Sequence, residues 1–191
     1  MAAGGYVRTH LEASNLNIPN SITMGRIILV PFVVWAITVG RFQLAFWLFV
    51  VAGISDAVDG FLAKRFDLTS EFGAYLDPLA DKALLMSIYI TLGIASFLPL
   101  WVVIAVVSRD IMIVGAVIVA WIVGKPLNIH PLVVSKLNTL AQILLATLVL
   151  ASNAFLFYAS PVLDILLVAV GILTVLSATF YLAAWMRHMA S

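Results

Sequence analysis

Six apolar runs, each about as long as a bilayer is thick, dominate this sequence of 191 residues. A transmembrane helix needs about 20 mostly apolar residues. We therefore predict membrane spans at residues 21–40, 44–63, 76–97, 100–123, 136–157 and 160–185. Because backbone groups in lipid must be hydrogen-bonded within the protein, these runs favour helices over open strands. The sequence predicts an all-α integral membrane protein, a bundle of six transmembrane helices.

The composition excludes several other classes of protein. Hydrophobic residues make up 64% of the chain and charged residues only 10%, whereas a soluble domain is about one quarter charged. A disordered chain would carry more charge and less apolar surface. The net charge of +1 provides no basic excess for nucleic acid, so no nucleic-acid partner is expected. The absence of cysteine excludes disulfides and thiolate chemistry.

The distribution of Lys and Arg predicts the orientation in the membrane. Arg41 is the only basic residue expected on one side, and the other side receives Arg8, Lys64, Arg65, Lys125, Lys136 and Arg187. Since cytoplasmic segments carry the basic excess, both termini are predicted to be cytoplasmic. Residues 1–20 form a polar cytoplasmic or interfacial segment without a signal-peptide pattern. Residues 1–191 are interpreted as one membrane domain, and a bacterial inner membrane as its location.

The acidic residues cluster in one short stretch. Six of the nine lie between positions 56 and 81, namely Asp56, Asp59, Asp67, Glu71, Asp77 and Asp81. Charges at membrane depth are costly and usually mark a functional cavity. Spacings of three (Asp56, Asp59) and four (Asp77, Asp81) put each pair on one helix face. Because spans 2 and 3 are antiparallel neighbours, the four carboxylates are expected to converge in a polar cavity facing the cytoplasm.

Four converging carboxylates repel one another unless a cation lies between them. Hard divalent cations such as Mg²⁺ or Mn²⁺ prefer oxygen ligands, which makes Asp56, Asp59, Asp77 and Asp81 a candidate metal site. The alternative is a set of structural salt bridges with Lys64, Arg65, Lys82 and Arg109. Asp67 and Glu71 are interpreted as solvated loop charges or partners of nearby bases.

Small residues accompany these acids. Gly60 and Gly73 would let a ligand or a neighbouring helix approach the backbone closely, and Ala63 offers a small surface one turn beyond Asp59. Close packing of membrane helices is the alternative explanation for all three.

The acidic stretch resembles the signature of the CDP-alcohol phosphotransferase family, D-x2-D-G-x2-A-R-x8-G-x3-D-x3-D. Seven of its eight fixed positions match at the right spacing: Asp56, Asp59, Gly60, Ala63, Gly73, Asp77 and Asp81. The departure is Lys64, where the family usually has Arg. A lysine keeps the charge but loses the planar bidentate fork.

Other segments resemble one branch of this family, the phosphatidylglycerol-phosphate and CMP-forming cardiolipin synthases. They are Asn17-Ile-Pro-Asn20 with Thr23 and Arg26, Asp77-Pro-Leu-Ala-Asp81-Lys82, Ser108-Arg109-Asp110 and Ser135-Lys136-Leu-Asn138-Thr139-Leu-Ala-Gln142. The last two are more similar to cardiolipin synthases. The phosphatidylglycerol-phosphate synthases tend to have Lys-x-Lys-Thr where this chain has Asn138 as the third residue.

The resemblance implies a membrane homodimer that moves the phosphatidyl group of CDP-diacylglycerol to an alcohol and releases CMP. It implies that Asp56, Asp59 and Asp77 bind one or two Mg²⁺ or Mn²⁺ ions. Asp81 would be the general base and a further metal ligand. The CDP moiety would lie against Asp56, Gly60, Ala63, Lys64 and Gly73, with Asn20 and Arg26 reaching the diphosphate.

Arg109 and Lys136 are candidates for holding the phosphate of the acceptor. The alternatives are that Arg109 pairs with Asp110 and that Lys136 extends from a span end to the membrane surface. Most of the Trp and Tyr side chains are interpreted as interfacial or lipid-facing anchors.

Three functions remain open from the sequence. Phosphatidylglycerol as acceptor would give cardiolipin, and glycerol 3-phosphate would give phosphatidylglycerol phosphate. The third, from another class, is a divalent-cation transporter. Against the transporter, the acids lie at one membrane face, and neither broken helices nor repeated halves are evident.

Overall fold

A computed structural model describes residues 17–66, 71–123, 133–157 and 159–190. These residues form six helices: α1 (Asn17–Thr38), α2 (Phe42–Phe66), α3 (Glu71–Ile94), α4 (Leu100–Ile122), α5 (Val133–Phe155) and α6 (Ser160–Ala190). Each predicted span corresponds to one of them. Side chains at 17–23, 57, 59–66, 71–79, 117, 121, 160 and 188–190 lie outside the description. The predicted N-terminal segment, residues 1–20, falls almost entirely outside it as well.

Several of the helices have the apolarity of membrane spans. Within the described ranges, three stretches are long and apolar enough to cross a bilayer: Leu100–Ala120, Val133–Phe155 and Pro161–Arg187. Met24–Thr38 and Phe42–Asp56 are shorter apolar stretches. The many exposed Ile, Leu and Val side chains on these helices would be unfavourable in water and suit contact with lipid. The predicted class, an all-α integral membrane protein, is confirmed.

The chain divides into two compact units, and the division falls within α3 between Ser87 and Ile88. In the first unit α1 packs against α2. Ala36 on α1 and Ala45 and Ala52 on α2 are completely buried, and such small residues let two membrane helices approach closely. The turn that follows α1 contains Gly40, whose positive φ of 74° suits a residue without a side chain.

In the second unit α6 packs against both α4 and α5. Close approach also joins α3 to α4, since a Cβ added at Gly93 would lie 2.7 Å from Cγ2 of Val103. Val103 is itself buried. Position 93 therefore has no room for a side chain unless the two helices separate.

The aromatic side chains divide between surface and interior. Trp35, Trp47 and Trp101 are about half exposed, as expected of lipid-facing or interfacial anchors. Tyr89 is an exception, because it is completely buried and donates a hydrogen bond of 3.0 Å to the backbone carbonyl of Gln142. Burying the ring of a tyrosine is favourable when its hydroxyl finds a partner.

Replacement of Gly93 by Ala is expected to destabilise the protein. The new methyl would overlap Val103, and overpacking of this kind costs about 1–3 kcal/mol. The matched control is Gly115→Ala in α4, where an added Cβ meets nothing within 4 Å and helix propensity improves. Thermal unfolding in detergent should give a lower midpoint for Gly93→Ala than for Gly115→Ala. Equal midpoints would contradict the close α3–α4 approach.

Candidate active site

Two carboxylates of the first unit converge on one arginine. Asp56 on α2 and Asp81 on α3 both contact Nη1 of Arg26 on α1, with 3.0 Å between Nη1 and Asp56 Oδ1. The same Nη1 donates a hydrogen bond to Oδ1 of Asp81. The Arg26 side chain is 2% exposed, whereas those of Asp56 and Asp81 are 46% and 43% exposed. The guanidinium therefore lies beneath the two acids, which keep an open side.

The cluster is formed by residues that are far apart in the sequence, since Asp56 and Asp81 lie 30 and 55 positions after Arg26. The sequence placed Asp56 and Asp81 in one cavity, and the structure brings these two together. Both acids pair with Arg26. Arg26 was not among the basic residues considered above for structural salt bridges.

For the other predicted site residues of the acidic stretch, the structure describes only the backbone. Asp59, Gly60, Ala63 and Lys64 continue α2, and Gly73 and Asp77 lie on α3. Their side chains, and that of Asn20 on α1, lie outside the described residues. Their roles in metal and nucleotide binding therefore stay predictions.

Arg109 is the centre of a second cluster, within the second unit. Its Nη1 lies 2.5 Å from Oδ1 of Asp110, and its Nη2 donates to Oγ of Ser135 at 2.5 Å and of Ser177 at 2.7 Å. Its Nε also donates to Ser177, at 3.2 Å. Arg109 and Asp110 are buried. Three helices, α4, α5 and α6, thus hold the guanidinium in place while Asp110 balances its charge.

Sequence reasoning named some of the polar side chains in the same unit as this arginine only as parts of family-like segments, and it missed Thr174 and Ser177. Together with the arginine these side chains form what we call the polar seam: Arg109, Asp110, Ser135, Asn138, Gln142, Thr174 and Ser177. Thr174 donates a hydrogen bond of 3.0 Å to Oδ1 of Asn138. The available signal was spacing, since Ser135, Asn138 and Gln142 follow an i, i+3, i+7 pattern on α5 and therefore share a face.

Two amides of the polar seam are incompletely satisfied. Asn138 and Gln142 are completely buried. Within the described residues, Asn138 Nδ2 and both polar atoms of the Gln142 amide have no hydrogen-bond partner. Buried polar groups normally have one, so this face of α5 has hydrogen-bonding capacity beyond its protein contacts.

Lys136 lies on the outer side of α5. It is exposed and borders an open groove of about 410 Å³ that is also lined by Ser135, Thr139, Leu140 and Ile143. A larger cavity of about 790 Å³ lies at the other end of α5, where its described lining includes Ser152, Asn153 and Asp164. That cavity contains none of the predicted site residues.

Comparison with known proteins decides the family. The family model for CDP-alcohol phosphatidyltransferase matches residues 16–186. The chain belongs to the CDP-alcohol phosphatidyltransferase family. The resemblance seen in the acidic stretch is thereby confirmed, and the match favours a transferase over the cation transporter.

Relatives in this family differ in the acceptor that their names specify. The chain is 32% identical to a probable CMP-forming cardiolipin synthase of Drosophila melanogaster, over 87% of this chain and 56% of the relative. It is 33% identical to the CMP-forming cardiolipin synthase of Rattus norvegicus, over 92% and 65%. It is also 32% identical to the CDP-diacylglycerol–glycerol-3-phosphate 3-phosphatidyltransferase of Bacillus subtilis, over 86% and 93%. The chain spans only 56% and 65% of the two cardiolipin synthases.

The carboxylates of this CDP-alcohol phosphatidyltransferase homologue fit a divalent cation. Asp56 and Asp81 present hard oxygen donors from two helices to one place, and both keep an open side. Mg²⁺ is usually held by one or two carboxylates together with substrate phosphates. No group of three metal-binding side chains occurs among those that the structure describes, and Asp59 and Asp77 lie outside them. The four-carboxylate set stays a prediction.

Removal of Arg109 is expected to destabilise the fold more than removal of the whole ion pair. Arg109→Gln takes away the cation that balances buried Asp110, and breaking a buried pair in this way costs about 3–5 kcal/mol. The double variant Arg109→Gln/Asp110→Asn should recover much of that loss. Denaturant titration in mixed micelles measures both free energies of unfolding.

Arg187→Gln is the control, because Arg187 is exposed near the end of α6 and should have little effect. A double variant as unstable as Arg109→Gln alone would show that charge balance is not what Asp110 requires of Arg109.

Proposed function

We propose that the protein is a phosphatidyltransferase that moves the phosphatidyl group of CDP-diacylglycerol to phosphatidylglycerol, forming cardiolipin and CMP. The observation that carries this proposal is the cluster of Arg26, Asp56 and Asp81, which belongs to the matched family region. Two half-exposed carboxylates above a buried guanidinium provide a place where a diphosphate and a divalent cation can be bound together.

In this proposal Asp81 is the general base. Its carboxylate accepts the proton of the acceptor hydroxyl, whose oxygen forms a bond to the β-phosphorus of CDP-diacylglycerol. The bond between that phosphorus and the bridging oxygen breaks, and CMP leaves with the electron pair. Such phosphoryl-transfer chemistry depends mainly on positioning and on electrostatic stabilisation.

The other charged residues position the reactants. Asp56, with Asp59 and Asp77, would hold Mg²⁺ or Mn²⁺, one or two ions, which neutralise phosphate charge and orient the phosphorus when bound. Arg26 fixes Asp56 and Asp81 through Nη1 and is close enough to the acids to contact a diphosphate bound there. Lys64, Gly60, Ala63, Gly73 and Asn20 are proposed to complete the nucleotide site.

Two observations support a lipid acceptor. The relatives from Drosophila and rat are named as cardiolipin synthases. Asn138 places a neutral amide, buried and bonded to Thr174, where the glycerol-3-phosphate branch tends to have a second lysine. An acceptor pocket with fewer basic groups suits an acceptor other than free glycerol 3-phosphate.

Glycerol 3-phosphate is the second candidate acceptor, because the Bacillus subtilis relative is named for that reaction and is matched over 93% of its length. For either acceptor we propose that Arg109 and Lys136 hold the phosphate. We further propose a homodimer in a bacterial inner membrane, with the site open to the cytoplasm.

CMP release from CDP-diacylglycerol tests the proposal. The full chain in liposomes with Mg²⁺ or Mn²⁺ should release CMP when phosphatidylglycerol is present and much less when glycerol 3-phosphate replaces it. Asp81→Asn should lower the rate by about 100-fold or more, the usual contribution of a general base. Asp164→Asn, an exposed carboxylate at the start of α6, should retain the rate.

Release with glycerol 3-phosphate alone would assign the second acceptor. Equal loss in Asp81→Asn and Asp164→Asn would contradict the role of Asp81, and no metal-dependent release with either acceptor would contradict the proposed reaction.

A further inference from the structure

The groove on the outer side of α5 changes in chemistry along its length. Ser135, Lys136 and Thr139 line one end, and Leu140 and Ile143 line the other. Helical periodicity brings these five residues to one side of α5. Between Lys136 and Ile143 the helix rises by roughly 10 Å. The groove thus has a basic, hydroxyl-bearing head and an apolar tail.

The head of the groove has a cation available for a ligand. Lys136 is exposed, and no described side chain forms an ion pair or hydrogen bond with its ammonium group. Ser135, beside it, accepts a hydrogen bond of 2.5 Å from Nη2 of Arg109. Ser135 therefore belongs both to the groove and to the polar seam, and it links the surface head of the groove to the buried guanidinium.

The tail of the groove presents aliphatic side chains at the surface. Leu140 is 53% exposed and Ile143 is 41% exposed. A soluble acceptor such as glycerol 3-phosphate has no group that would use this apolar surface. A diacyl phospholipid matches both ends of the groove: its phosphate suits Lys136, and an acyl chain suits the aliphatic side chains.

We propose that this groove, the acceptor groove (Ser135, Lys136, Thr139, Leu140 and Ile143), is where an anionic phospholipid acceptor binds from the surrounding membrane. The phosphate of phosphatidylglycerol lies against Lys136, and one acyl chain lies along Leu140 and Ile143. The inference rests on the proposed function and deepens it by naming where the lipid acceptor binds. The positive charge of the head and the apolar tail both match this occupant, whose phosphate and acyl chains belong to one molecule.

Blocking the tail tests the acceptor groove. Ile143→Trp places a bulky ring in the groove, whereas Leu144→Trp makes the same change one residue further on, at a side chain that is 49% exposed and does not line the groove. CMP release is measured against the surface concentration of phosphatidylglycerol. The KM of Ile143→Trp should exceed that of Leu144→Trp by about tenfold, the effect of losing roughly one well-buried apolar contact.

Deacylated acceptor separates lipid binding from phosphate binding. With glycerophosphoglycerol, which carries the same headgroup without acyl chains, Ile143→Trp and Leu144→Trp should have the same KM. Lys136→Gln should raise the KM by about tenfold for both acceptors, since a hydrogen bond to a charged group is lost in each case. Equal KM values for the two Trp variants with phosphatidylglycerol would overturn the acceptor groove.

A binding measurement keeps the test independent of activity and of variant folding. Phosphatidylglycerol with a photoactivatable diazirine in one acyl chain is cross-linked to the wild-type protein in liposomes, and the labelled peptides are identified by mass spectrometry. Labelling concentrated at residues 139–147 of α5, reduced by excess unlabelled phosphatidylglycerol, supports the proposal. Labelling spread evenly over the exposed helices overturns it.

The proposed function and the acceptor groove fail in different ways. Wild-type protein that releases no CMP with phosphatidylglycerol overturns the proposed acceptor and the groove with it. Wild-type protein that releases CMP with phosphatidylglycerol, while the two Trp variants behave alike, overturns the groove and leaves the proposed function intact.

Discussion

Charge within an apolar helix bundle must be balanced nearby, because neither lipid nor an aliphatic core can solvate it. The described part of the chain meets this requirement twice. Arg26 lies buried against Asp56 and Asp81 in the first unit, and Arg109 lies buried against Asp110 in the second. Each pairing fixes a guanidinium between helices. The positions of the candidate chemical groups therefore depend on these pairings.

The two clusters are built for different tasks. Asp56 and Asp81 keep more than two fifths of their side chains exposed, which suits carboxylates that bind a cation and accept a proton. Arg109 and Asp110 are enclosed, and serines from two further helices complete the coordination of the guanidinium. That rigidity suits recognition of an acceptor. Among the described residues, Asn138 Nδ2 and the side-chain amide of Gln142, both on α5, have no hydrogen-bond partner and offer further hydrogen bonds.

The sequence predicted the helices well because lipid imposes a simple rule on length and apolarity, and six runs satisfied it. It predicted the meeting of Asp56 and Asp81 because their spacing and the short connection between α2 and α3 leave few other arrangements. It did not predict that Arg26 would pair with both acids, since long-range partners depend on how α1 packs. Nor did it identify Ser135, Thr174, Ser177 or Tyr89 as polar interior residues, because Ser, Thr and Tyr occur equally well at membrane surfaces. The burial of these side chains is determined by the packing of α3, α4, α5 and α6.

We propose that Asp56 and Asp81, which converge on Arg26, bind a divalent cation that takes part in phosphatidyl transfer. Mn²⁺ binding followed by electron paramagnetic resonance, on the full chain in nanodiscs without substrate, measures this directly. We expect saturable Mn²⁺ binding by the wild type. The affinity should be strongly reduced in Asp56→Asn and in Asp81→Asn and unchanged in Asp164→Asn. Saturable binding of equal affinity in all four proteins, or none in the wild type, would contradict the proposal.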